Sequence, residues 1–164
     1  MTRLIPVRVL VIDDDESVCR KLAGWLAEAA YDLATFTDPV AALEHAAKVE
    51  FQIAVVDLRM PNKDGVELIA ELRQLSPDTR ILAMTAFPEV PQVIAAIRAG
   101  ARDVLEKPVQ AASLFAALER QLAEGGLSVR SEAEFNRRLG ARIRSARAAM
   151  NMTLNDVSAT CRPA

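Results

Sequence analysis

The sequence is poor in the side chains from which transition-metal sites and disulfides are built, with one histidine and two cysteines in 164 residues. Cys19 and Cys161 are far apart and lack the spacing of metal ligands, so we interpret both as free thiols of a reducing compartment. His45 has no metal-ligating neighbour in the sequence, and we expect it at the surface. None of these residues therefore indicates a zinc site.

Long apolar runs are also missing, although 51% of the residues are apolar and 26% are charged. This composition is typical of a soluble globular protein, and no run approaches the length of a membrane span. The first residues lead directly into an apolar segment and lack the layout of a signal peptide. We therefore expect a cytoplasmic protein with no membrane partner, long enough for one full domain and a short remainder.

Charge is distributed unevenly along the chain. Residues 1–126 contain 13 Lys and Arg and 19 Asp and Glu, a net charge of −6, whereas residues 127–164 contain 7 and 3, a net charge of +4. One interpretation is that the basic segment binds an anionic partner such as nucleic acid. The alternative is a solvated basic helix with no such partner.

Four apolar segments of the chain, each short enough for a buried strand, end in polar residues. The carboxyl ends of parallel strands lie at the edge of an open α/β sheet where ligands bind, so these polar residues are candidates for one site. The residues that follow the four segments are Asp13 to Asp15, Asp57, Thr85 and Lys107-Pro108.

Segments with helical periodicity separate the strands, so the sequence predicts five strands alternating with five helices. Right-handed crossovers then give a parallel sheet covered on both faces, the flavodoxin-like doubly wound fold with strand order 2-1-3-4-5. Asp15 is predicted to cap the first helix and Gly100 to end the fourth. Residues 62–65 are predicted as a turn. The predicted strands span about residues 7–12, 31–36, 52–57, 80–84 and 103–106.

Asp13, Asp14 and Asp57 would form a cluster of like charges whose mutual repulsion requires a neutralising cation. Oxygen ligands with room for water suit Mg²⁺, and Mn²⁺ is a suitable substitute. An aspartate at a strand end, with a lysine and a hydroxyl nearby, is also the set that phosphoryl transfer to a carboxylate needs.

These residues, in this order and at these strand ends, resemble the CheY-like receiver domain of two-component response regulators over about the first 125 residues. The resemblance implies that Asp57 accepts a phosphoryl group from a sensor histidine kinase and that Lys107 and Thr85 contact this group. It implies direct Mg²⁺ ligation by Asp14, Asp57 and the Arg59 backbone carbonyl. Asp13 would act through water, and the peptide bond between Lys107 and Pro108 would be cis.

One position departs from the family pattern. Val104 stands where the family usually has the aromatic residue that changes rotamer on phosphorylation, so that movement is not available here. Arg59 and Phe87, each two residues beyond a site residue, flank the site instead. Our hypothesis is that these two bulky side chains slow the attack of water on the acyl phosphate.

The resemblance divides the chain into a receiver domain at 1–124, a linker at 125–130 and a helical extension at 131–164. Residues 139–158 resemble the first helices of repressor-type helix-turn-helix domains, whose DNA-reading third helix would fall beyond Ala164. In the alternative interpretation, the extension is an amphipathic helix that packs on the receiver or on a second copy.

The sequence therefore predicts a signalling phosphoacceptor, not an enzyme in the usual sense, because the only reactions expected are its own phosphorylation and dephosphorylation. The leading prediction is a transcriptional response regulator that binds DNA through its output domain. The alternative is a stand-alone receiver that acts by protein contacts or phosphorelay. A homodimer through the face of the fourth helix and fifth strand is a family expectation. A third interpretation, a haloacid-dehalogenase-like phosphatase with Asp13 as nucleophile, would leave Asp57 and Lys107 unexplained.

Overall fold

The computed structural model describes residues 6–125 of the chain. The predicted helical extension at 131–164, its resemblance to a helix-turn-helix domain, Cys161 and the linker beyond residue 125 all lie outside the described residues. They stay predictions.

Five parallel strands form the central sheet, in the order β2-β1-β3-β6-β7. This is the predicted order 2-1-3-4-5, because two short strands outside the sheet take the numbers β4 and β5. The flavodoxin-like prediction is thereby confirmed, with strand ends that differ from the predicted ones by at most two residues. The sheet strands are β1 Arg8–Ile12, β2 Asp32–Phe36, β3 Ile53–Asp57, β6 Arg80–Thr85 and β7 Ala101–Glu106.

A two-stranded antiparallel ribbon directly follows β3, and it was not predicted from the sequence. Its strands are β4 (Arg59–Met60) and β5 (Lys63–Asp64), and the turn between them contains Asn62. The predicted turn at 62–65 was therefore wrong in extent, because half of it pairs as a strand. Strands of two residues show no periodic pattern that a sequence could reveal.

Five helices cover the sheet: α1 Glu16–Glu28, α2 Pro39–Ala46, α3 Gly65–Leu75, α4 Val90–Ala99 and α5 Ala111–Glu124. The carboxylates of Asp15, Asp38 and Asp64 cap α1, α2 and α3 by accepting a hydrogen bond from the amide two residues on. The predicted cap at Asp15 is confirmed. Gly100 ends α4 with a φ of 127°, a backbone conformation that glycine adopts without a steric penalty.

The core lies on both faces of the sheet, as expected for parallel strands covered by helices. All five residues of β3 are buried. His45 is half-buried and packs between the rings of Phe36 and Phe51, with centroid distances of 5.1 and 5.7 Å, so the predicted surface position was wrong. The largest fully buried side chains are Leu10, Ile12, Leu22, Leu26, Ile53, Leu68, Ile69, Leu72, Ile81, Leu82, Met84 and Leu114.

Within residues 6–125, the structure contains no helix with the length and apolar character needed to span a membrane.

Candidate functional site

Two buried aspartates meet at the carboxyl edge of the sheet because β1 and β3 are neighbours. Ile12 is paired with Val56, so the next residues, Asp13 and Asp57, reach adjacent positions. Asp13 is fully buried and Asp57 is 4% exposed, whereas Asp14 is exposed. Carboxylate oxygens of the three aspartates lie within 4.8 Å of one another. The structure therefore brings the predicted acidic cluster together.

Lys107 reaches this cluster from the end of β7. Its Nζ lies 2.5 Å from Oδ2 of Asp13 and 3.1 Å from Oδ2 of Asp57, and its side chain is 17% exposed. The Lys107 amide donates a hydrogen bond to the carbonyl of Thr85, which fixes the start of its loop beside β6. The peptide bond to Pro108 is cis, as the resemblance implied. The ammonium thus bridges the two buried carboxylates.

Burial and these contacts determine the pKa shifts of Asp57 and Lys107. Burial raises the pKa of the Asp57 carboxyl above its ordinary value, and the charge of Asp13 adds to this effect, while the Arg59 amide and Lys107 oppose it. Burial alone would lower the pKa of Lys107, but its contacts with Asp13 and Asp57 raise it above its ordinary value. Lys107 is therefore a fixed cation at neutral pH, and ionised Asp57 is an anion that a second cation would stabilise.

The backbone after Asp57 is held in one conformation by two close contacts. The Arg59 amide donates a hydrogen bond of 3.1 Å to Oδ1 of Asp57, which fixes the orientation of the carboxylate. Gly65, the first residue of α3, packs so closely that a Cβ atom there would lie 2.4 Å from the Asp57 carbonyl oxygen and from Cα of Leu58. The sequence analysis treated Gly65 only as part of a turn, because a close approach between backbones leaves no pattern in the sequence.

Thr85 ends β6 and is fully buried, but its hydroxyl is directed to its own loop. Thr85 Oγ1 donates a hydrogen bond to the Phe87 carbonyl oxygen and accepts one from the Phe87 amide, both of 3.2 Å. Within residues 6–125, none of the hydrogen bonds joins the Thr85 hydroxyl to Asp57 or Lys107. The structure thus places Thr85 at the predicted edge, with its hydroxyl bonded to the loop that leads to α4.

Three side chains next to the site, Arg59, Phe87 and Glu89, are joined through Arg59. The guanidinium of Arg59 lies 3.3 Å from a carboxylate oxygen of Glu89 and 5.5 Å from the centre of the Phe87 ring. Phe87 is 63% exposed, so most of its ring is open to water. Arg59 and Phe87 were predicted to flank the site. Glu89 was missed, because its partner lies 30 residues away in the sequence.

Cys19 lies against the backbone of the acidic cluster. Its thiol donates a hydrogen bond of 3.3 Å to the carbonyl oxygen of Asp13. Burial raises the pKa of this thiol to about 11, and the charge of Asp13 contributes in the same direction. Cys19 is therefore buried and protonated, and the prediction that it is a free thiol is confirmed.

The acidic cluster fits a divalent cation. Its donors are carboxylate oxygens, the ligands that Mg²⁺ prefers. Oδ2 of Asp13 is buried and, among the described residues, makes no hydrogen bond of regular geometry, although the Lys107 ammonium is close. Three carboxylates against one ammonium leave an excess of negative charge, which a hydrated cation at the exposed Asp14 side could neutralise.

A parallel five-stranded sheet with an aspartate cluster, a lysine and a threonine at its carboxyl edge is the arrangement of a receiver domain. Residues 9–119 match the family described as response regulator receiver domain. The chain belongs to this family, and it is thereby a protein of two-component signalling.

Curated relatives cover the same part of the chain. Transcriptional regulatory protein ZraR of Escherichia coli (strain K12) is 35% identical over 117 residues, which are 71% of this chain and 26% of that protein. Transcriptional regulatory protein PrrA of Mycobacterium leprae (strain TN) is 33% identical over 127 residues, which are 77% of this chain and 54% of that protein. The similarity thus spans between about a quarter and about half of the length of these relatives.

Solved structures agree in fold. Chemotaxis protein CheY4 of Vibrio cholerae has 28% sequence identity and a TM-score of 0.69, covering 72% of this chain and all of that chain. A CheY-like receiver domain protein of Methanospirillum hungatei JF-1 has 22% identity and a TM-score of 0.72, covering 76% and 99%. The second likeness supports the fold alone.

Proposed function

We propose that this chain is a response regulator that accepts a phosphoryl group on Asp57 from a sensor histidine kinase and changes conformation in response. The observation that carries the proposal is the position of Asp57. It is a buried carboxylate at the end of β3, it is oriented by the Arg59 amide, and it lies 3.1 Å from the Lys107 ammonium. A buried nucleophile with a fixed cation beside it suits phosphoryl transfer, in which positioning and charge stabilisation provide most of the catalysis.

In the proposed reaction, a carboxylate oxygen of Asp57 attacks the phosphorus of a phosphohistidine. The new P–O bond forms as the P–N bond breaks, and the imidazole nitrogen leaves with the electron pair. The Arg59 amide holds the other oxygen of Asp57 in place. Lys107 then balances the charge of the phosphoryl oxygens, for which it exchanges its contact with Asp57.

Mg²⁺ is the proposed cofactor. Asp14, Asp57 and the backbone carbonyl of Arg59 would hold it, with Asp13 acting through water. When bound, the ion would neutralise the carboxylates and polarise the phosphoryl oxygens. The residues of the chain itself provide the nucleophile, the fixed ammonium and the orientation of both.

Thr85 is proposed to connect phosphorylation with the α4 loop. Its hydroxyl is bonded in both directions to the backbone of Phe87. A phosphoryl oxygen beside Asp57 would compete for the proton of this hydroxyl, and the Phe87 carbonyl would then lose its donor. The loop before α4 would therefore rearrange when the site is occupied.

The proposed output is control of transcription from the cytoplasm, with 1–124 as receiver, 125–130 as linker and 131–164 as the start of a DNA-binding arm. The names of the relatives and the net charge of +4 on residues 127–164 support it. The alternative output is contact with another protein without DNA. A homodimer would use the exposed apolar residues of α4, which are Val90, Ile94 and Ile97. An unchanged elution volume in size-exclusion chromatography with and without beryllofluoride would exclude a phosphorylation-driven dimer.

The phosphoacceptor proposal is tested by intact mass after incubation with acetyl phosphate. We expect a gain of one phosphoryl group in the wild type, dependent on Mg²⁺ and absent from Asp57→Asn. Asp64→Asn is the matched control, because Asp64 is exposed and caps α3 outside the cluster. The same gain in Asp57→Asn as in wild type would assign the acceptor to another residue.

A further inference from the structure

The first turn of α4 lacks the side-chain cap that three other helices of the domain have. Asp15, Asp38 and Asp64 each accept a hydrogen bond from the helix they precede, whereas Glu89, the N-cap residue of α4, makes no capping hydrogen bond. Its carboxylate is bound to Arg59 instead. The carboxylate best placed to stabilise the amino end of α4 is therefore held by another part of the molecule.

Two further features of this turn determine which groups a rearrangement could satisfy. Pro91 lies in the first turn and has no amide hydrogen, so the Gln92 amide is the donor that an N-cap side chain would reach. In addition, the side-chain oxygen Oε1 of Gln92 is buried with no hydrogen-bond partner in the described part of the chain. Oε1 of Gln92 is therefore an acceptor that a rearranged first turn could satisfy.

Arg59 is the side chain that connects this turn with the acceptor residue. Its amide is bonded to Oδ1 of Asp57, and its guanidinium is bonded to Glu89. Both side chains of the ion pair are at least half exposed, at 50% and 68%, so water screens their attraction and the pair is easily broken. A phosphoryl group on Asp57 would place about two negative charges near Arg59, and a guanidinium binds a phosphoryl group at two points.

We propose that Arg59 exchanges partners when the site is occupied, leaving Glu89 for the phosphoryl group, and that the released Glu89 stabilises the amino end of α4. This inference rests on the proposed phosphorylation of Asp57. A negative charge at a helix amino terminus is favourable because the helix dipole is positive there. The exchange provides a route from Asp57 to α4 in a domain where Val104 cannot act as an aromatic switch.

The proposed change of partner by Arg59 is tested in the full chain by measuring amide hydrogen exchange. NMR gives the exchange rates of the Val90, Gln92 and Val93 amides. The protein is compared in Mg²⁺ alone and with beryllofluoride added, and bound beryllofluoride is detected by its own fluorine signal. In the wild type, we expect these amides to exchange about two- to fivefold more slowly when beryllofluoride is bound, the effect of one helix-end charge.

Two variants show whether the slower amide exchange comes from the change of partner by Arg59 or from a general stabilisation of the domain. In Glu89→Gln, the slowing should disappear while the bound fluorine signal remains. In Arg59→Ala, Glu89 is free from the start, so the slow exchange should be present without beryllofluoride. Glu16→Gln is the control, because it removes the exposed ion pair with Arg20 on α1, and it should behave as wild type.

Each contrary result has a separate meaning. Equal slowing in Glu89→Gln and wild type would overturn the exchange while leaving phosphorylation of Asp57 intact. The absence of a bound fluorine signal in the wild type would overturn the proposed function and this inference with it.

Discussion

At the scale of single residues, Asp57 carries its charge at a position where the fold does not favour a charge. It is 4% exposed and lies beside Asp13, and burial raises its pKa above the ordinary value. The ionised carboxylate therefore destabilises the native state when no second cation accompanies Lys107. A buried charge that lowers stability is common at functional sites, which agrees with the role proposed for Asp57.

We predict that Asp57→Asn raises the free energy of unfolding at pH 7 without Mg²⁺, on the order of 1 kcal/mol. A carboxyl with a raised native pKa binds its proton more tightly when folded, so wild type loses stability as pH rises from the unfolded pKa of about 4 through the native one. The difference in the free energy of unfolding between Asp57→Asn and wild type should therefore be small near pH 4 and reach its full size at pH 7. Urea titrations across this range measure it.

Added Mg²⁺ provides the control for this prediction. An ion that binds the native cluster stabilises wild type by mass action. Millimolar Mg²⁺ should therefore reduce the difference in the free energy of unfolding between wild type and Asp57→Asn. A variant that is less stable than wild type at pH 7, with or without Mg²⁺, would show that Asp57 stabilises the fold and would contradict the argument.

Gly65 leads to a second prediction at this scale. Because a Cβ atom at this position would lie 2.4 Å from backbone atoms of Asp57 and Leu58, Gly65→Ala should reduce the free energy of unfolding by about 2 kcal/mol or more. It should also slow phosphorylation, because the backbone that must move carries the acceptor. Urea titration and the acetyl phosphate assay measure the two effects.

Gly24→Ala is the matched control for this substitution. Gly24 lies within α1, and the position that an alanine methyl group would take there has no atom within 4 Å, so alanine should stabilise the helix by about 0.5–1 kcal/mol. Equal changes in the free energy of unfolding in Gly65→Ala and Gly24→Ala would show that close packing at Gly65 does not cause the loss of stability.

The positions of the candidate site residues could be predicted because strand ends determine position. Once the strand order follows from the alternation of strands and helices, the residues after β1, β3 and β7 must share an edge, whatever their rotamers. The bonding of each side chain could not be predicted in this way. That Lys107 bridges two carboxylates, and that Thr85 is bonded to its loop, depends on choices of a few ångströms that many residues determine together.

At the scale of elements, the ribbon after β3 is joined to the start of α4 by the ion pair between Arg59 and Glu89. The caps at Asp15 and Gly100 were predictable because capping is local, within two residues of the helix end. The ribbon was not, because its stability comes from two paired residues on each side and from its contact through Arg59 with the start of α4. Contacts between distant segments leave no local pattern.

Arg59 and Phe87 lead to a prediction about the lifetime of the phosphorylated state. Arg59 and Phe87 each lie two residues beyond a candidate site residue, and their side chains contact each other. We therefore expect them to shield the acyl phosphate from water, so Arg59→Ala and Phe87→Ala should each accelerate its hydrolysis severalfold. Loss of phosphoryl from the purified phosphoprotein, followed by intact mass, measures the rate.

Lys63→Ala is the control for Arg59→Ala and Phe87→Ala. Lys63 belongs to the same ribbon but pairs with Glu71 on α3, so its removal should leave the hydrolysis rate unchanged. Unchanged rates in both Arg59→Ala and Phe87→Ala would exclude shielding by these side chains.

At the scale of the whole molecule, the charge asymmetry of the chain separates the two proposed outputs. The first 126 residues have a net charge of −6, and all seven basic residues beyond them are arginines. A DNA-binding arm would neutralise phosphates with these arginines, whereas a solvated helix would leave them in water. The two interpretations differ in a measurable property, the dependence of DNA affinity on salt.

We predict that the full chain binds duplex DNA of arbitrary sequence weakly and that a fragment of residues 1–126 does not. The logarithm of the binding constant should fall as the logarithm of salt concentration rises, with a slope of about −0.9 for each phosphate neutralised. Fluorescence anisotropy of labelled DNA between low and moderate salt measures the slope. The fragment retains the acceptor site and its core, so it should still gain a phosphoryl group, which shows that it is folded. If the fragment and the full chain bind DNA equally poorly at low salt, the arginines serve no DNA contact in this chain, and a receiver that acts through protein contacts becomes the better explanation.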